Sequence, residues 1–109
     1  MEKWIKESIS LYAKNAKPGL WDINRCNDSE ILSTIKKYAG TEDNYNKFIA
    51  MMEAYYDAER CPSGDYGTGN PHRDMEAEAY DRAWSFFRRT CNRLSVPSGE
   101  VENIIFSNR

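Results

Sequence analysis

Two long apolar stripes at helical period, over 45–56 and 80–94, limit what this chain can fold into more than any other feature. Tyr45, Phe48, Ile49, Met52, Tyr55 and Tyr56 fall on one side of a helix. Tyr80, Ala83, Trp84, Phe87, Cys91 and Leu94 do the same further on. The first predicted helix starts from Thr41 as N-cap, with Glu42 and Asp43 in its first turn, and runs to Arg60 before Cys61-Pro62. The second runs from about Asp74 to Leu94, where Val96-Pro97 ends it. A helix with so wide an apolar face needs a partner to cover it. The pattern predicts that these two segments pack antiparallel.

The flanking segments read as shorter helices. Ile5, Ile9, Tyr12 and Ala16 share one face of a helix over 2–16, widened by Trp4 and Leu11 and ended by Pro18-Gly19. Leu20-Trp21 then reads as an apolar plug over one end of the core. A second helix begins near Asn27 or Asp28, with Asn27 and Glu30 resembling a capping box. Ile31, Leu32, Ile35 and Tyr38 form its inward stripe, Lys36-Lys37 suit its last turn, and Gly40 fits a C′ position at positive φ. Ser98 is expected to cap a last helix with Val101, Ile104 and Ile105 inward and the final residues frayed. No alternation at period two is long enough to call for a strand, and a short hairpin within 61–72 stays open.

The expected fold is therefore all-α: a single domain over 1–109, built as a small bundle of four to five helices with one long Gly-rich loop at 61–73. A chain of 109 residues has room for one domain, and three Trp, seven Tyr and four Phe give it ample core material. Three cysteines without paired spacing favour free thiols in a reducing compartment. No apolar run approaches membrane-spanning length, and MEKWIKES lacks the apolar core of a secretory leader. A cytoplasmic protein with no membrane partner is expected.

Residues 61–73, CPSGDYGTGNPHR, are dense in turn formers. As a ligand loop, Gly64, Gly67 and Gly69 would admit close backbone approach, Tyr66 would stack on a base, and His72 and Arg73 would meet phosphate. It matches neither a Walker A loop nor a dinucleotide fingerprint, so a plain connector is the stronger reading. Arg82, Arg89 and Arg93 share a helical face with Arg88 alongside, suited to phosphate or an acidic partner. The bland alternative pairs them with Glu53, Asp57 and Glu59 across the bundle. The acidic stretch 41–72 reads as a solvated face. Cys26, Cys61, His72 and Cys91 lack metal-ligand spacing, and His72 with Cys61 has no orienting third group, so neither metal, cofactor nor catalysis is expected.

The string LYAKNAKPGLWD at 11–22 resembles the start of a MADF domain, and Ala83-Trp84 with Arg88 and Arg89 behind is similar to that family's second motif. The resemblance implies a three-helix DNA-binding module, although 61 residues (22 to 82) lie between Trp21 and Ala83 here, more than in that family. The residues themselves favour a non-catalytic module that binds another protein, with Arg82, Arg88, Arg89, Arg93, Tyr55 and Tyr56 as its contact surface. In style it resembles the small accessory and inhibitor proteins of phages and mobile elements, anti-CRISPR and other anti-defence proteins included. The rivals are a nucleotide or cyclic-dinucleotide binder using 61–74 and a DNA binder using the arginine stripe.

Overall fold

Local chemistry sets the helix boundaries. The computed structural model describes residues 1–18, 24–62 and 69–109 and orders them as α1 (Lys3–Asn15), β1 (Ala16–Pro18), β2 (Asn24–Cys26), α2 (Ser29–Ala39), α3 (Glu42–Arg60), α4 (Pro71–Arg93) and α5 (Ser98–Ser107). Helix α2 is capped by Asp28, whose Oδ1 accepts from the N–H of Glu30 at 2.9 Å and of Ile31 at 3.3 Å, so the cap lies one residue later than the Asn27 capping box implied. Gly40 closes α2 at φ +79°, where any side chain would be strained. Thr41 Oγ1 accepts from Asn44 N–H at 3.1 Å, as expected for α3.

Helix α4 starts three residues before the expected Asp74. Asn70 Oδ1 accepts from His72 N–H at 3.0 Å and Pro71 fills the first helical position. Proline there costs no hydrogen bond and has its φ preset, so the Asn-Pro pair that reads as loop punctuation is a helix start. His72 and Arg73, expected in the loop, therefore belong to the first turn of α4. Ser98 is the first residue of α5 rather than its cap; the N-cap position falls on Pro97, and no side chain caps the helix.

A two-stranded antiparallel hairpin follows α1, pairing Ala16 with Cys26, Lys17 with Arg25 and Pro18 with Asn24. Strands of three residues are too short for alternation to register in sequence. Pro18 is tolerated because such an edge has positions whose N–H faces no ladder partner. The Leu20-Trp21 plug lies outside the described residues.

The core is centred on α3. Ile5, Ile9 and Tyr12 of α1, Ile35 of α2, Phe87 and Cys91 of α4, and Val101 and Ile105 of α5 close around Phe48, Met51, Met52 and Tyr55, all buried. Helices α3 and α4 form the most extensive contact between elements. Aromatic rings join them: Tyr55 meets Phe87 at 5.5 Å and Trp84 at 5.8 Å between centroids, and Trp84 meets Phe87 at 5.8 Å, all edge-on. Tyr56 turns to the other side of α3 and stacks on Tyr12 of α1 at 6.0 Å.

That arrangement corrects the expectation for two contact residues. Tyr55 is 1% exposed and Tyr56 6%, so neither lies on a surface. Neighbouring residues on a helix point about 100° apart. Both can be buried only because α3 is covered on two sides, by α4 and by α1. Tyr38, expected inward, is 42% exposed, and Ala39 is buried beside Ile35 in α2.

The C-terminus is tied down rather than frayed. Asn108 Nδ2 donates to Ile104 O at 2.7 Å and Ser10 Oγ at 3.2 Å. The Arg109 guanidinium donates to Tyr55 Oη at 3.0 Å and pairs with Glu59. Removing the ring at the α3–α4 contact, Phe87→Ala, is expected to cost about 3–5 kcal/mol, read from urea unfolding followed by circular dichroism. A loss below about 1 kcal/mol would show that the ring does not anchor the contact.

Candidate interaction surface

Helix α4 carries two faces. Ala77, Phe87, Thr90 and Cys91 turn into the bundle, with Tyr80 and Trp84 half-buried beside them. On the opposite side Met75, Ala79, Arg82, Phe86, Arg89 and Arg93 recur at steps of four, three, four, three and four, one continuous stripe along the helix. Met75 is 67% exposed and Phe86 45%, two of the four exposed large apolar side chains among the described residues. Arg82, Arg89 and Arg93 are exposed on either side of Phe86, and the Arg89 guanidinium lies 5.8 Å from the Phe86 ring centroid.

Arg88 points elsewhere. One residue before Arg89, it is turned about 100° from the stripe and donates to Ser85 Oγ at 3.2 Å. Among the described residues, none of Arg82, Arg88, Arg89 and Arg93 forms an ion pair with a carboxylate. The alternative that these arginines pair with Glu53, Asp57 and Glu59 is thus not what the fold adopts. Glu59 instead takes Arg109, which reaches it from the end of the chain. Sequence spacing could not reveal that, because Arg109 and Glu59 are 50 positions apart.

Charge on α4 is ordered along its length. Asp74, Glu76, Glu78 and Asp81 occupy the first half, with His72 and Arg73 ahead of them, and Arg82, Arg88, Arg89 and Arg93 occupy the second. Carboxylates near the helix N-terminus and cations near its C-terminus both complement the macrodipole.

The proposed ligand loop is only partly in view. Gly64, Tyr66 and Gly67 lie outside the described residues. Gly69 precedes the α4 cap at φ +78°. His72 is engaged within α4, its Nε2 2.9 Å from Glu76 Oε1, and Arg73 is likewise engaged in the fold. Elsewhere a shallow cleft of about 400 Å³ opens between α1 and α2, lined by Lys6, Glu7, Ser10, Leu11 and Tyr38. Among the described residues no three of His, Cys, Asp and Glu come together as metal ligands. Among them too, no helix is long and apolar enough to cross a membrane.

Burial governs the thiols and phenols. Cys26 and Cys91 are 2% and 1% exposed, whereas Cys61, just past α3, is half-exposed. Desolvation raises the Cys26 thiol above its ordinary range and pushes Cys91 up to about 12, where Glu102 also disfavours the thiolate. It pushes the Tyr56 phenol up to about 12 as well, with Glu59 adding to the effect, and raises Tyr12 and Tyr55 further.

No family model, curated protein or solved structure matches this chain. The likeness to a MADF domain therefore rests on its two short strings alone, and the five described helices exceed the three it implied.

In the folded chain Cys61 is expected to be the one thiol of three that reacts promptly with a disulfide reagent, the other two following only on unfolding. Prompt reaction of Cys26 or Cys91 would contradict their burial. Stability should also fall in alkali. Burial keeps the proton on Cys91 and Tyr56 in the fold, while the unfolded chain releases it from 9.0 and 10.0 respectively. Stability is thus full below pH 9.0 and is lost progressively as pH rises towards about 12. Denaturant midpoints across that range, read alongside tyrosinate absorbance, would test this. Midpoints that hold constant would contradict it.

Proposed function

We propose that this chain is a non-catalytic protein-binding module that docks through the outer face of α4. The observation that carries the reading is the exposed row of Arg82, Arg89 and Arg93, without carboxylate partners among the described residues, set around exposed Phe86. A guanidinium offers a rigid fork of donors to a carboxylate, and an aromatic ring beside it supplies contact area at small entropy cost. Arginine and aromatic residues dominate the energetics of protein interfaces. The partner is a protein surface with carboxylates arranged around an apolar contact.

Phosphate is the less favoured occupant. The stripe alternates cations with Met75, Ala79 and Phe86 instead of concentrating them, and the chain carries a net charge of −2. At a finer level, the small size and mixed charge suit the accessory and inhibitor proteins of phages and mobile elements, anti-defence proteins among them.

The test uses the double variant Arg89→Glu, Arg93→Glu. It is expected to retain wild-type helicity and melting behaviour and to lose a protein that the wild-type chain retains at stoichiometric level on a resin. Phe86→Ala should weaken the same complex by about tenfold, near 1.4 kcal/mol. Undiminished retention by the double variant would overturn the reading, as would steeply salt-sensitive binding to heparin in place of a protein.

A further inference from the structure

We infer, on the docking reading above, that the part of the partner seated on α4 is itself an α-helix, acidic in its first half and apolar in its second, lying antiparallel to α4. The outer face of α4 sets that chemistry. Arg82, Arg89 and Arg93 are exposed and form no ion pair with a carboxylate among the described residues. Of the carboxylates on the same helix, Glu76 meets His72, Asp74 and Asp81 are engaged within the fold, and Glu78 lies beside Ala79, about 100° off the row. The charge that the row offers a partner is therefore positive and confined to the second half of α4. Met75, Ala79 and Phe86 fill the remaining positions. The complement is a carboxylate opposite each arginine and an apolar side chain opposite each of the other three.

Spacing selects a helix to carry that complement. Arg82 and Arg89 stand about 10.5 Å apart along the axis, with Phe86 between them. Carboxylates at the same separation in sequence on a partner helix have the same rise and share one face, with an apolar position between them. On an extended strand the side chains of one face recur at about 6.7 Å. One opposite Arg82 then has neighbours at about 6.7 and 13.4 Å, and none opposite Arg89. The main chain favours the same choice. An extended segment draws affinity from hydrogen bonds to a free sheet edge, whereas the main-chain groups along the middle of α4 are already used in its own ladder. A helix arrives with its own main chain satisfied.

The helix dipole sets the direction. Carboxylates are favourable in the first turns of a helix and unfavourable in the last. The partner's carboxylates face Arg82, Arg89 and Arg93 in the second half of α4, so the favourable arrangement is antiparallel. Its apolar second half then covers Ala79 and Met75, and the small Ala79 leaves room for a large side chain opposite. The contact is one helix face about 27 Å long, at the small end of specific interfaces, so an affinity on the order of 10 μM is expected.

The probe is a synthetic helix-forming peptide of about 20 residues. It carries glutamate opposite Arg82, Arg89 and Arg93 and leucine opposite Met75, Ala79 and Phe86, in antiparallel register. Titrated with the purified full chain, its fluorescence anisotropy is expected to rise with a Kd on the order of 10 μM, weaker as salt rises, while circular dichroism shows it gaining helix. The same peptide with a proline at its centre, and one with its sequence reversed, should each bind at least about tenfold more weakly. Arg89→Glu, Arg93→Glu should lose about tenfold or more. A peptide with lysine at the two facing positions should recover that loss, which also shows that the double variant is folded. Absence of binding by the in-register peptide would overturn the inference. So would equal binding by the proline or reversed peptide, or binding that the double variant leaves unchanged. If no peptide binds while the double variant still loses a protein that the wild-type chain retains on the resin, the docking reading survives and the helical occupant falls. If the resin also shows no dependence on these arginines, both fall.

Discussion

The packing of α4 against α3 through Tyr55 is the constraint on which the remaining structure depends. The Tyr55 ring meets Trp84 and Phe87 edge-on and touches Tyr56 at 5.0 Å on its own helix. Edge-on geometry brings the positive rim of one ring to the negative face of another, so these contacts add orientation to plain burial. The phenol is also held: Arg109 donates to Tyr55 Oη while pairing with Glu59 one turn along α3. One side chain thus links the middle of the bundle to the end of the chain. Tyr56 turns the other way and carries α3 onto α1 through Tyr12.

This packing decides which side of α4 is free. Once Phe87, Thr90 and Cys91 are turned inward, the opposite side of α4 is left uncovered among the described residues, and Phe86 stays 45% exposed. The arginines remain without partners for a related reason. They lie on the side of α4 turned away from Phe87 and Cys91, while Glu59 of α3 pairs with Arg109. A recognition surface then arises as a by-product of core geometry: an apolar seam that could be buried once, on a helix whose second seam was left over.

How far the sequence foretells this varies with the range of the interaction. Thr41 as a cap, Gly40 at positive φ and the end of α3 at Arg60 were all readable, because each follows from contacts within about one helical turn. The α4 start was readable in principle, since Asn70 followed by Pro71 is a capped helix start, but the surrounding glycines weight the segment towards loop. The hairpin of Ala16–Pro18 and Asn24–Cys26 was not, because three residues carry no usable period. The arginine face was legible as a face. Whether it was free was not, since that turned on which side of α4 packs into the bundle.

By itself, then, the sequence determined the helices, their starts and stops, and which residues share a side, because periodicity and capping are local and a residue's neighbours at three and four positions are always present. Only the tertiary structure decided that Tyr55 and Tyr56 are interior while Phe86 is exterior, and that Glu59 is spoken for while Arg89 is not. Those outcomes depend on which element covers each arc of a helix and on which distant charge arrives there, and neither quantity is encoded within any one segment.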